Sequence, residues 1–502
     1  MRKERKPMRL LEIMLSFANL LTFCILAIPP LRAIHWMGYL ALITALIAGI
    51  QMLVEGPRWQ MVPAYALTIA FFLIWLLGTV MPGGIHVNRL ITGVGVGLGV
   101  LVLVVSTVLP TVLPVFHFPR PGGPYQIGTL TYHWVDASRH EIFSADPNAQ
   151  RELMAQVWYP ARENSSSARA PYVDDASVLS PALARLLHLP GFTFDYWKYV
   201  PTHGIPSVPV ATDKPSYPVL IFLTGINGFR QNNTFQVQEL VSHGYIVVAI
   251  DQPYAAAAVV FPDGRQITGW TRDQMQPLIN QSLSPAEKAP TVNGQPLTNG
   301  IIPYLAQDAS FTIDQLIALN KTDPNGILTG RLDLQHLGVF GISLGAIVAG
   351  EACHMDSRLK ASLMMDAAMP ADVVQAGLRQ PSMWITRPAS FMRLERERSG
   401  GWSEADIAQT LDTMRAVFNK SRLGDGYYVQ VPGMFHINFT DAPYWSPLLP
   451  LLGLIGPINA QRGFDIVNAY SLAFFDHNLE GSPAAPLDGL TKRYPEVLFE
   501  AR

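Results

Sequence analysis

The chain has 502 residues, of which 49% are hydrophobic and 15% charged, with a formal net charge of −2. Soluble domains usually carry roughly one quarter charged residues, and near-neutrality argues against a basic nucleic-acid-binding surface. With Cys24 and Cys353 as its two cysteines, the sequence excludes a disulfide scaffold and any cysteine-rich metal centre.

The average conceals a division. Residues 1–119 hold eight Lys/Arg and three acids, whereas the rest of the chain holds 28 basic and 35 acidic residues. Four apolar runs open the sequence, at about 13–31, 36–54, 61–81 and 90–113, each of 19 or more residues without Asp, Glu, Lys or Arg. A helix rises 1.5 Å per residue, so about 20 residues cross a 30 Å hydrocarbon core. The sequence therefore predicts a domain of four transmembrane helices over 1–118, with the lipid bilayer as a partner. Arg2, Lys3, Arg5, Lys6 and Arg9 precede the first run, which predicts a cytoplasmic N-terminus. An even number of spans would return the following domain to the cytoplasmic side of a multi-pass membrane protein. Asn19 is the one charged or carboxamide side chain in mid-span, which gives a transport function little support.

The Pro/Gly stretch 119–124 reads as a linker into a second domain, 119–502. Strands are expected at Ile127–Val135 and Glu152–Trp158, and a short helix near 179–187. A repeating pattern follows. Strand Pro218–Leu223 runs into Thr-Gly-Ile-Asn-Gly, helix Thr234–His243 follows it, and strand Tyr245–Ile250 ends at Asp251. After a hairpin-like turn at 261–265 and a polar insertion come helix 309–319, strand 337–340, helix 344–354 and a strand from Ala361 to Met365. The last elements are a strand start at Trp384, helix 405–418, strand 427–431 and helix 465–475. Short apolar runs alternating with helices predict an α/β fold, a mostly parallel sheet with helices on both faces, in which ligands bind beyond the carboxyl ends of the strands.

Residues 341–345 read Gly-Ile-Ser-Leu-Gly, a G-x-S-x-G motif between a strand and a helix. The motif makes a tight turn whose glycines remove side chains that would collide, holding Ser343 Oγ clear at a helix N-terminus. A serine nucleophile needs a base. In this fold the chain order is nucleophile, acid, histidine, and His354, His436 and His477 follow Ser343. His354 lies about 16 Å along the helix that starts at the turn, and His477 follows the last helix. His436, just past a late strand in Val-Pro-Gly-Met-Phe-His-Ile-Asn-Phe, is the expected base. Asp366, at the end of the next strand, is the expected acid. Asp425 is at the wrong end of its strand, and Glu395 and Glu397, in Arg-Leu-Glu-Arg-Glu-Arg, read as a solvated face. The backbone N–H of Leu344 and that of Ile226, with Asn227 second, are the candidate oxyanion-hole donors, although the same glycines also fit a plain βα turn. No HExxH motif, Cys/His cluster, dinucleotide fingerprint or Walker loop occurs, so neither a metal nor another cofactor is indicated.

At these residues the chain resembles the plasma-type platelet-activating factor acetylhydrolase family of α/β-hydrolases and its bacterial relatives. The resemblance is carried by Gly123–Gly128, Val157–Pro160, Leu223–Arg230, Ser242–Ala249, Gly338–Gly345, Ala361–Asp366 and Gly433–Phe439, within about 123–480. It implies an α/β-hydrolase fold with Ser343, Asp366 and His436 as catalytic residues and Ile226 and Leu344 as oxyanion donors. It also implies calcium-independent release of short or oxidised acyl chains from the middle position of glycerophospholipids. Ile342, Thr224 and Asn227 depart from the family's usual His, His and Gly. The four expected spans imply a bacterial, inner-membrane-anchored relative. Alternatives are an esterase for small soluble or polymeric esters, of dienelactone hydrolase or cutinase type, and an inactive membrane accessory protein. The apolar stretch 443–455, close behind His436, reads either as an active-site rim or as a buried helix.

Overall fold

The computed structural model describes residues 8–32, 39–80, 88–162, 168–482 and 485–502. The chain divides into two compact units: residues 1–117 with 195–200 and 445–448, and the remainder from Phe118 onward.

The first unit is helical: α1 (Leu10–Ala27), α2 (Leu40–Val54), α3 (Val62–Val80, after a 3₁₀ turn Trp59–Met61) and α4 (Arg89–Val112). Among the described residues three helices, not the four expected, are long and apolar enough to cross a membrane: Leu10–Ala27, Trp59–Val80 and Arg89–Val112. The expected second span, 36–54, begins among residues 33–38, outside the described residues. Its described part is the 15-residue α2, about 22 Å long against the ~30 Å of a hydrocarbon core. The last residue of the expected third span, Met81, also lies outside the described residues. The outer surfaces are apolar, with Leu53 88% and Leu90 74% exposed. Polar groups turn inward and pair: Glu12 accepts two 2.7 Å bonds from Arg58, Tyr65 donates to Gln51 over 2.6 Å, and Thr68 donates to Asn19 over 3.1 Å. Pairing of this kind satisfies groups that an apolar surrounding would otherwise leave without partners.

The second unit is built on a ten-stranded sheet. Its strands are β1 (Gln126–His140), β2 (Gln150–Ala161), β3 (Gly204–Pro206), β4 (Tyr217–Leu223), β5 (Ile246–Asp251), β6 (Leu332–Ile342), β7 (Leu359–Met365), β8 (Ser382–Thr386), β9 (Gly426–Gln430) and β10 (Leu498–Ala501). In space they run β10-β9-β8-β7-β6-β4-β5-β2-β1-β3. The stretch from β9 to β5 is parallel, β10 pairs antiparallel with β9, β2 pairs antiparallel with both β5 and β1, and β1 pairs parallel with β3, so the sheet is mixed. Every residue of β4 and β5 is buried, as unbroken apolar runs in a sheet covered on both faces require. The flanking helices include α5 (Ala176–Leu186), α6 (Thr234–Ser242), α7 (Arg272–Leu283), α8 (Ile302–Lys321), α9 (Leu344–Met355), α10 (Ala389–Ser399), α11 (Glu404–Phe418) and α12 (Ala460–Leu479). Helix α7 occupies the stretch expected to be a polar insertion; a Thr271–Gln274 capping box starts it. Arg151, fully buried on β2, bonds Asp308 of α8 at 2.6 Å and Glu141 at 2.8 Å, pinning the antiparallel end of the sheet to a helix. This is the α/β-hydrolase arrangement: a mixed sheet flanked by helices, with its central parallel strands ending at one edge.

Candidate functional site

Strand β6 ends at Ile342, and the chain turns at Ser343 with φ 57° and ψ −124° before α9 begins at Leu344. Positive φ is costly for a non-glycine residue and is held here by its surroundings. A Cβ on Gly341 would stand 2.3 Å from the Gly345 carbonyl oxygen, and one on Gly345 would stand 2.0 Å from the Leu223 carbonyl oxygen. Both motif glycines are therefore fixed by backbone packed against backbone. The turn leaves Ser343 half-buried between the buried Ile342 and Leu344.

Asp366 follows β7 directly, also in the left-handed region with φ 50°. It is fully buried and accepts hydrogen bonds from Thr386 Oγ1 at 2.7 Å, Arg387 Nε at 3.0 Å and His436 Nδ1 at 2.7 Å. Burial pushes its pKa up, but the Arg387 charge and the His436 and Thr386 bonds outweigh that penalty and hold the carboxyl at about 2. His436 opens a 3₁₀ turn, His436–Phe439, after β9. Its Nδ1 faces Asp366, which leaves Nε2 to act on a reacting group. The hydroxyl of Ser343 forms no hydrogen bond to another described residue.

The His436 turn is fastened to the segment after β4. Asp441 accepts from the backbone N–H groups of Thr234 and Phe235 at 2.8 and 3.0 Å, and Asn233 Nδ2 donates to the Phe439 carbonyl at 2.7 Å. That segment begins with the loop Thr224–Arg230, whose Arg230 is locked to Asp251 by a 2.6 Å backbone bond and a side-chain ion pair. Gly225 lies against the nucleophile turn, since a Cβ there would be 3.1 Å from Ser343 Cβ. The two donor candidates in this loop separate. The N–H of Asn227 is spent on the Ala255 carbonyl at 2.7 Å, while that of Ile226 makes no hydrogen bond to another described residue. The Leu344 N–H is the first of α9 and has no intrahelical acceptor.

Three further residues join the site without having been anticipated. Arg387, fully buried at the end of β8, ion-pairs with Glu395 as well as with Asp366. The charge pattern Arg-Leu-Glu-Arg-Glu-Arg predicts a solvated Glu395; instead it is 7% exposed, and its Oε2 also accepts the His436 backbone N–H at 3.3 Å. Glu397 does face solvent. The reason is helical phase: α10 turns Met392 and Glu395 inward and its other charges outward. The Trp402 ring lies 5.1 Å from the His436 ring and 5.0 Å from the Arg387 guanidinium. A signal for Arg387 is available in principle, an arginine directly after a buried strand and before Pro388. His354 ends α9, and His477 is bonded to the Ser482 carbonyl. The stretch 443–455 forms no long helix: Leu451 and Leu452 are 83% and 60% exposed, whereas Tyr444 and Ile455 are buried. Among the described residues no His/Cys/Asp/Glu group could hold a metal ion.

No protein-family model matches the chain. It is 23% identical to a probable 1-alkyl-2-acetylglycerophosphocholine esterase of Arthroderma benhamiae, over 80% of this chain and 98% of that protein. It is 22% identical to a platelet-activating factor acetylhydrolase of Cavia porcellus, over 72% and 78% of the two chains. Among solved structures, a ferulic acid esterase from Streptomyces cinnamoneus aligns with a TM-score of 0.58 and 27% identity, over 76% of this chain and 98% of that one. The chain is thus an α/β-hydrolase-superfamily protein of esterase character, distantly similar to platelet-activating-factor-acetylhydrolase-like esterases. These likenesses lend no support to a specifically bacterial, membrane-anchored form.

Proposed function

We propose that the chain is a serine carboxylic-ester hydrolase that works through an acyl-enzyme, with Ser343 as nucleophile, His436 as general base and acid, and Asp366 as the carboxylate that orients the histidine. The observation that carries this reading is the 2.7 Å His436–Asp366 bond beside a serine held at positive φ on a strand-to-helix turn. Ser343 Oγ attacks the ester carbonyl and His436 Nε2 takes its proton. The oxyanion is met by the N–H groups of Leu344 and Ile226. Collapse breaks the ester C–O bond, His436 protonates the departing alkoxide, and water then cleaves the acyl-serine by the same steps. No metal or organic cofactor enters this sequence.

For the substrate we favour a small soluble or polymeric ester. The ferulic acid esterase supports this choice, being the more similar of these proteins in sequence identity and aligned along nearly its whole length. A second reading, removal of short or oxidised acyl chains from glycerophospholipids, draws support from the names of the relatives at 20–23% identity. A panel of p-nitrophenyl, hydroxycinnamate and 2-acetyl glycerophospholipid esters tests both. Turnover of the first two alone supports the first reading, and preference for the phospholipid replaces it with the second.

The long apolar helices support a multi-pass, membrane-held chain, with the basic residues before α1 on the cytoplasmic side. An even number of crossings places the hydrolase unit in the cytoplasm, and three crossings place it on the opposite side. Reporter fusions at residue 502 read the side directly.

A further inference from the structure

Around His436 the charges do not stop at Asp366. Asp366, Arg387 and Glu395 form a continuous chain of ion pairs, all buried. An arginine this close to the orienting carboxylate has two opposite effects. It fixes the carboxylate in place through Nε, and it cancels the negative charge that a protonated His436 needs nearby. Glu395 reverses the second effect. It pairs with Arg387 and so restores one net negative charge to the cluster. The same Oε2 receives the His436 backbone N–H, so one side chain holds both the arginine and the histidine turn. Trp402 roofs the arrangement: its ring lies against the Arg387 guanidinium, whose Nη2 has no hydrogen-bond acceptor among the described residues, and meets the His436 ring at 67°. A ring face attracts a guanidinium electrostatically and keeps water from competing.

We propose that Arg387 and Glu395 are a positioning pair for the reaction of Ser343: Arg387 fixes Asp366, while Glu395 fixes Arg387 and the His436 main chain and returns the negative charge that Arg387 cancels. The inference rests on the serine-hydrolase reading above. Neither residue touches the substrate, and both act through Asp366 and His436. Other charged groups on the surrounding elements do not duplicate this role. Arg398 of α10 lies over Phe435 at 6.0 Å, Arg462 of α12 is paired with Glu496, Asp465 accepts from Gln461, and Asp441 is bonded to the α6 N-terminus.

The test uses the full chain in detergent, with kcat and KM for p-nitrophenyl butyrate measured from about pH 5 to pH 9, and with fluorophosphonate labelling of Ser343 in parallel. Arg387→Met should lower kcat by about 10- to 100-fold with KM little changed, and should move the acidic limb of the rate profile up by about one pH unit. Arg387→Lys, which keeps the charge, should return the limb to its place. Glu395→Gln should move the limb the other way, by about one unit, because it leaves the arginine uncompensated. The double variant Arg387→Met/Glu395→Gln carries no unpaired buried charge and guards against misfolding of the single variants. Its limb should fall back to the wild-type position while kcat stays low. Labelled enzymes whose limbs all coincide, or single variants that shift in the same direction, would overturn the pair and leave the hydrolase reading standing. Failure of the wild type to label at Ser343 would remove that reading, and the pair's role with it.

Discussion

The backbone N–H of Ser343 donates to the carbonyl oxygen of Met365 at 3.0 Å. This bond ties the turn that carries the serine to the last residue of the strand that carries Asp366. Ser343 and Asp366 are each the first residue past their strands, and both lie in the left-handed region, at φ 57° and φ 50°. The two side chains therefore leave the sheet at the same level, and the Asp366 N–H is in turn bonded to the Ile385 carbonyl at 2.9 Å. Neighbouring parallel strands in register thus set the spacing of the site.

Replacing Ser343 by alanine should abolish ester turnover and phosphonate labelling while leaving the melting temperature within about 2 °C, because the change removes one hydroxyl and keeps the backbone geometry. Turnover that persists near the wild-type level would count against the nucleophile assignment.

Asparagine at 366 should lower kcat by roughly 10³–10⁴-fold, about 4–5 kcal/mol of transition-state stabilisation, since an amide can present its N–H to the histidine and select the wrong tautomer. Asparagine tolerates the left-handed conformation found there, so the variant should fold. Single-turnover kinetics on the purified variant check the loss.

Stability should follow the Asp366 carboxyl in acid. Its folded pKa is lowered from 3.8 to about 2, so its ionised form stabilises the fold above pH ~4. That contribution, about 2 kcal/mol, is lost as pH falls from ~4 to ~2. Urea midpoints for the wild type and Asp366→Asn should accordingly lie furthest apart above pH ~5 and converge through this window.

Alanine at Gly345 should cost about 3 kcal/mol or more and eliminate activity, because its methyl group would meet the Leu223 carbonyl oxygen at 2.0 Å and neither backbone segment can yield without moving the turn. A thermal melt with a parallel activity assay measures both effects.

The sequence makes legible what is local. The G-x-S-x-G spacing marks a strand–turn–helix, Asp366 stands at the end of an apolar run, and His436 follows the last strand of the parallel block. The structure brings His436 and Asp366 together and places Ser343 on the neighbouring strand. Less legible is whatever depends on tertiary phase. Glu395 belongs to a run of alternating charges that reads as solvated, and only the packing of α10 turns it inward against Arg387. The same holds for the edges of the sheet, where β1, β2 and β10 pair antiparallel and no local pattern announces direction. Composition likewise marks four apolar runs, of which three are helices of spanning length among the described residues, the second run beginning outside them.

Asp441 has a further consequence, for the order in which the protein can be completed. The N–H groups it satisfies, on Thr234 and Phe235, lie 207 and 206 residues earlier in the chain. At translation rates of about 5–20 residues per second, roughly 10–40 s pass between synthesis of that helix start and arrival of its acceptor. During this interval α6 has an incomplete N-terminus, and the loop carrying Ile226 is held by partners made earlier, among them Asp251, Ala255 and Ala257. A nascent chain halted before residue 441 should therefore exchange the amide hydrogens of Thr234 and Phe235 rapidly, and one released past it should protect them. The residue that locks the site's two halves together thus leaves the ribosome long after the helix start it completes.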